Sequence, residues 1–230
     1  MTMNNPICLA LDTPDVDRAV ELARTLKHHV GYLKIGMEFF YANGAKAYEA
    51  VAREGLPIFL DLKLHDIPNT VEQGLRSLMQ LSPAPAIVNV HATGGLAMLQ
   101  AARKAVLAST KLIAVTVLTS LSDADVFDAG FDRDTQSLTR KLALLAKSAG
   151  LDGVVCSPLD VKPVKADCGS DFFTVVPGIR PDTSSPGDQK RIATPKAAIA
   201  AGADILVIGR AITGAADPVV AAQAILHSLS

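Results

Sequence analysis

The sequence predicts a single-domain α/β protein, a closed (β/α)8 barrel of the TIM type, on three observations. Eight apolar runs of strand length recur along the 230 residues, and most are nearly continuous instead of alternating, as strands covered on both faces are. Amphipathic stretches with apolar residues at three- and four-residue spacing separate them. The strand starts fall 25, 26, 29, 25, 41, 19 and 33 residues apart, close to one βα unit of a barrel totalling about 250 residues. A doubly wound open sheet shares that periodicity. Its dinucleotide-binding form needs GxGxxG after the first strand, where this chain reads LDTPD.

Residues 7–12 form the first expected strand. Thr13-Pro14 then sets a capping hydroxyl before a proline suited to a first helical turn, and VDRAVELARTL continues as an amphipathic helix. The second strand spans 32–37 and its helix 46–53, with Gly55 as terminator. Residues 58–63 and 87–92 give strands three and four, followed by helices over 71–81 and 96–107. After strand five, 112–118, the 41-residue interval leaves extra loop before a helix over 137–149. The 19-residue interval after strand six, 153–157, leaves space for only a short helix around Pro163. Strands over 172–178 and 205–210 complete the set, and Thr194-Pro195 and Asp217-Pro218 start the last two helices, the final one over 219–229. Gly55, Gly150 and Gly202 each follow a helix and precede a strand, as helix-ending glycines do.

Composition excludes several classes of function. With 22 Lys+Arg against 23 Asp+Glu the formal charge is −1, which gives no net attraction to nucleic acid or to an anionic membrane. No run of eighteen apolar residues and no basic, then apolar, leader occurs, so a soluble cytoplasmic protein is expected. Cys8, Cys156 and Cys168 are odd in number and widely spaced, which predicts buried, reduced thiols instead of a disulfide framework.

In a barrel the functional groups belong at the C-terminal ends of the strands. The third strand ends IFLDLKLHD, and a period of two turns Asp61 and Lys63 to the same side of the mouth. Asp66 follows in the loop, Lys34 interrupts the apolar second strand, and Asp12 ends the first. Buried charge is costly unless paired, and stability alone is served as well by apolar residues; alternating charges at one mouth suit a substrate whose charge changes. A second group lies on strands seven and eight, in FTVVPGIR and VIGRAITGA. Arg180, Gln189, Gly209 and Arg210 occupy the usual phosphate position of such barrels. The loop 181–191 between them has no apolar anchor and is expected to fold over bound ligand.

These residues resemble the orotidine 5′-phosphate decarboxylase family over essentially the whole chain. The resemblance rests on FLDLKLHDIPNTV at 59–71 together with LALD, LKIGME, VNVHATGG, TVLTS, VVPGIR and VIGRAIT. It implies a cofactor-free, metal-free lyase of pyrimidine biosynthesis that converts orotidine 5′-monophosphate to uridine 5′-monophosphate (UMP) and CO2. Lys34, Asp61, Lys63 and Asp66 match the family's charged tetrad, with Lys63 as proton donor. The resemblance further implies a homodimer in which Asp66 and Thr70 reach the neighbouring site. Asp12 and Thr70 would touch ribose, one of Thr119, Ser120 or Ser122 the base, and Arg180, Gln189, Gly209 and Arg210 the base or phosphate.

Two other readings compete. A metal-dependent phosphosugar enzyme on the same barrel needs carboxylates or histidines around a divalent ion. Lys34 would repel that ion, and His65 and His91 are better read as hydrogen-bonded strand-end residues. A non-catalytic nucleotide-binding barrel would have no need of Lys63.

Overall fold

The computed structural model describes residues 5–181 and 191–229. Gln189 and nearly all of the expected covering loop therefore lie outside the described residues. Eight parallel strands close into a barrel in sequence order, with β1 bonded to both β2 and β8. They are β1 (Ile7–Leu11), β2 (Tyr32–Gly36), β3 (Ile58–Leu64), β4 (Ile87–His91), β5 (Lys111–Val115), β6 (Gly153–Val155), β7 (Phe173–Val176) and β8 (Ile205–Ile208). The helices outside it are α1 (Val16–Leu26), α2 (Met37–Ala52), α3 (Pro68–Leu78), α4 (Gly95–Ala105), α5 (Asp123–Asp128), α6 (Thr135–Ser148), α7 (Val161–Cys168), α8 (Pro195–Ala200), α9 (Arg210–Thr213) and α10 (Pro218–His227). No helix among the described residues is long and apolar enough to cross a membrane.

The alternation of side chains along each strand divides the core in two. One set, including Leu9, Leu33, Leu60, Val88 and Leu112, packs outward against the helices. The other, Cys8, Phe59, Ile87, Ile113, Val175 and Ile205, fills the inside of the barrel as an apolar floor. Each fully buried Leu, Ile or Phe contributes about 1.5–3 kcal/mol, and the barrel interior is a packed plug, with functional groups left to the strand ends. The three cysteines are free and buried, as expected.

Most expected elements stand where the periodicity put them, with local corrections. The cap of α1 is Asp15 instead of Thr13, because its carboxylate lies one residue from Val16 and accepts from Arg18 N. Helix α2 starts at Met37, nine residues before the expected boundary, with a break at Gly44 (φ 69°). The run MEFFYA, with Glu38 its only charge, hides helical periodicity there. Strand β5 stops at Val115, and past it the Val117 and Leu118 carbonyls accept from Arg191 Nη2. The long interval after β5 holds the short helix α5, and α7 is the expected short sixth-unit helix. Thr194 and Asp217 do cap the helices that follow them.

Candidate active site

Just above the apolar floor the inward positions turn polar. Lys34, Asp61 and Asn89 occupy this level on three consecutive strands, and beyond them a cavity of about 290 Å³ opens at the strand ends. Asp12, Lys34, Asp61 and Lys63 line one side of it. Thr119, Ser120, Gly178, Arg180, Gly209 and Arg210 line the rest.

Asp61 is the centre of the charged group. Only 8% exposed, its Oδ1 accepts from Lys63 Nζ at 2.7 Å and from Asn89 Nδ2 at 2.7 Å, while Oδ2 lies 3.5 Å from Lys34 Nζ. Lys34 also donates to Asp12 Oδ1 at 3.2 Å. Burial by itself would raise the Asp61 pKa, but the two ammoniums and the two donated hydrogen bonds outweigh it, and Asp61 is held below the usual carboxylate range. Burial likewise opposes the charge on Lys34; Asp61 and Asp12 outweigh it and lift Lys34 above its ordinary value. Asp61 and Lys34 thus stay ionised across neutral pH. Gly36 leaves space for this arrangement, as a Cβ there would stand 3.2 Å from Lys34 Nζ.

Lys63 faces Asp61 by a different route from simple alternation. The β3–β4 ladder shifts register between Leu60 and Leu64, and Lys63 has φ 53°. A side chain in the left-handed region costs about 1–3 kcal/mol, which the surroundings of Lys63 must offset. One residue that sequence reasoning passed over does so: Asn89, fully buried, accepts from Lys63 N at 2.8 Å, and the strand β4 carrying it supplies the facing edge. The signal was present, for Asn89 is the one amide in the otherwise apolar run IVNV.

Of the second expected group, Arg180, Gly209 and Arg210 also line the cavity. Gly178 has φ 77°, a conformation suited to glycine, and Arg180 follows it, bonded through its backbone N–H to Ala193 O at 3.0 Å. At Gly209 a Cβ would stand 3.2 Å from Asp12 Oδ2, so glycine there joins the two halves of the site. Of the three hydroxyl candidates, Thr119 and Ser120 line the cavity. Ser122 does not, because it caps α5 in a reciprocal box with Asp125. Asp66 and Thr70 do not line the cavity either. Both are exposed, and Asp66 Oδ1 accepts from its neighbour Ile67 N.

A buried ion pair supports the rim. Arg191 Nη1 lies 2.6 Å from Asp160 Oδ2, which also accepts from Ser157 Oγ, with Asp160 2% exposed. Arg191 Nη2 bonds the Val117 and Leu118 carbonyls, next to Thr119. It therefore ties the loops after β5, β6 and β7 together. Sequence reasoning assigned this pair no role. The rings of His65 and His91 meet at a tilt of 33°, with centroids 5.3 Å apart. Among the described residues no group of three or more His, Cys, Asp or Glu side chains stands at metal-binding spacing.

Known proteins agree with this geometry. Residues 5–225 match the model of the orotidine 5′-phosphate decarboxylase / HUMPS family. A relative named orotidine 5′-phosphate decarboxylase from Sphingopyxis alaskensis is 52% identical, over 99% of this chain and 100% of the relative. One of the same name from Novosphingobium aromaticivorans is 54% identical with the same coverage. A crystal structure of orotidine 5′-phosphate decarboxylase from Lactobacillus acidophilus superposes with a TM-score of 0.82 at 38% identity, covering 98% of this chain and 99% of that one. A barrel of eight βα units, a lysine–aspartate–lysine group at its mouth and near-complete matches of this kind lead to one assignment: the chain belongs to the orotidine 5′-phosphate decarboxylase / HUMPS family.

Proposed function

We propose that this protein decarboxylates orotidine 5′-monophosphate to UMP and CO2 in pyrimidine biosynthesis, without metal or organic cofactor. The observation that carries the reading is Asp61 held between the ammoniums of Lys63 and Lys34 in a cavity that also presents Arg180 and Arg210. Loss of CO2 breaks the bond to C6 and leaves its electron pair on a ring carbon that lacks a ready π sink. A preorganised cation beside that carbon stabilises the charge as it develops. Lys63 then delivers an Nζ proton to C6, forming UMP, and the resulting amine regains a proton from water. Lys34 and Asp61 keep that ammonium in place. Asp61, close to where the substrate carboxylate would sit, also disfavours the ground state.

Arg180, Arg210 and the backbone at Gly209 would hold the phosphate, with Gln189 contributed from the segment between. Asp12 would contact ribose, and Thr119 or Ser120 the base. Phosphate binding far from C6 supplies binding energy that orders the site.

The proposed assembly is a homodimer with Asp66 and Thr70 reaching the partner's cavity. Two observations support it. Neither residue lines the cavity of its own chain, and large apolar side chains lie exposed at the starts of α2, α3 and α4: Tyr41 (70%), Ile67 (66%), Met37 and Leu96. The free cysteines suit a reducing, cytoplasmic setting. The reading is tested by following the absorbance of orotidine 5′-monophosphate with protein exhaustively treated with chelator. Turnover is expected to survive chelation unchanged. Absence of turnover, or turnover lost on chelation and restored by Mg²⁺, overturns it.

A further inference from the structure

The β3–β4 ladder pairs Leu60 with Val88 and next Leu64 with Val90. Three residues of β3, Asp61, Leu62 and Lys63, therefore stand against the single residue Asn89. Within this bulge Lys63 is the one non-glycine residue among the described residues with positive φ. Its backbone N–H points into the barrel wall, where a ladder carbonyl would normally meet it, and it finds Asn89 Oδ1 at 2.8 Å instead. The other end of the same amide donates to Asp61 Oδ1 at 2.7 Å, beside the contact from Lys63 Nζ to that oxygen. Reversing the amide would set donor against donor and acceptor against carboxylate, so the two contacts fix its orientation.

We infer that Asn89 is a positioning residue for decarboxylation, replacing the absent ladder partner so that Lys63 keeps its left-handed bend and Asp61 keeps Oδ1 toward Lys63 and Oδ2 toward Lys34. The inference rests on the function proposed above. Among the described residues no other side chain makes both contacts. Leucine at 89 would leave a buried N–H unsatisfied and remove one donor from a buried carboxylate. Serine is too short to span both groups. Aspartate retains the acceptor for Lys63 N but sets a second negative charge against Asp61. Two carboxylates in such contact retain a shared proton to higher pH than either alone, and the protonated pair recovers a donor at the Asp61 contact.

That difference supplies a test that a purely structural role would not pass. The charged and titratable groups around position 89 are Asp61 and Lys63 on β3, Lys34 on β2, Cys8 on β1 behind them, and His65 and His91, whose ring centroids lie 5.3 Å apart; β5 presents the apolar Ile113. All of these are present in the parent chain as well, so the kcat ratio of variant to parent isolates the substituted residue. Asn89→Leu is expected to lower kcat at least 30-fold at every pH while UMP affinity changes less than fivefold. Asn89→Asp is expected to lower kcat strongly at pH 8.5, and its ratio to the parent should rise at least threefold by pH 5.5. Should Asn89→Leu fail to fold, the Asn89→Asp profile decides alone. A flat Asn89→Asp ratio, a kcat within threefold of the parent in Asn89→Leu, or equal losses in kcat and UMP affinity in that variant overturns the inference. An inactive parent would instead overturn the proposed function.

Discussion

Replacing Asp61 with asparagine removes the anion on which the charged group is centred and leaves shape nearly unchanged. The two ion pairs, at 2.7 Å to Lys63 and 3.5 Å to Lys34, correspond to about 6 and about 5 kcal/mol of attraction at an effective dielectric of about 20. Removing the charge also spares the carboxylate its desolvation, several kcal/mol for so buried a group, which offsets half or more of that loss. What remains is about 3–5 kcal/mol, the usual cost of deleting one partner from a buried pair. Lys34 would retain Asp12, whose side chain is 57% exposed, and an exposed partner of that kind contributes at most about 1 kcal/mol. Urea unfolding at a fixed protomer concentration measures the difference. Because the folded-state pKa of Asp61 is depressed, its contribution is complete above about pH 4, the unfolded carboxylate value, and is lost as pH falls through the folded value. The stability difference between parent and Asp61→Asn should thus be constant from pH 5 to 8. A difference under about 1 kcal/mol, or a more stable variant, would refute the view that Asp61 is the electrostatic keystone of these lysines.

Arg191→Met should cost about 3–5 kcal/mol by leaving Asp160 buried without its cation, whereas Arg191→Met with Asp160→Leu should unfold at higher urea than Arg191→Met alone; no loss in the single variant refutes the rim-anchor role. Burial, then the neighbouring His65 and Lys63, depress the pKa of His91. Its neutral form therefore contributes stability above about pH 6.5, the unfolded histidine value, that is lost as pH falls through the folded value. His91→Gln should flatten the decline in melting temperature between pH 7 and 5, and an unchanged slope contradicts that assignment.

The barrel was legible because its physics is periodic. Apolar runs such as ICLAL and ILVI bury both faces of a strand, and the helices between them carry one apolar stripe each. Lys34, Asp61 and Lys63 were legible because charge inside such runs needs a partner, and strand ends face one mouth. The start of α2 was hidden since Met37–Tyr41 carries a single charged residue, Glu38, among large apolar and aromatic ones, too few polar positions to mark a helical face. Asn89 and the Arg191–Asp160 pair escaped notice for another reason. Their importance depends on what faces them across the barrel, at separations of 26–31 residues, and no local pattern encodes that. The bend at Lys63 is the same kind of feature. Alternation placed Asp61 and Lys63 on one side, but the contact forms through a bulge whose stability resides on β4.

In the proposed mechanism Lys63 supplies the charge and the proton at C6 while the rest of the cavity holds the nucleotide. The most direct test is the decarboxylation rate of Lys63→Ala measured beside its affinity for UMP. A positioned proton donor accounts for about 10²–10⁴ in rate, and its cation adds transition-state stabilisation, so kcat should fall at least about 10³-fold with UMP still bound. A Lys63→Ala protein that decarboxylates within about tenfold of the parent would contradict the account.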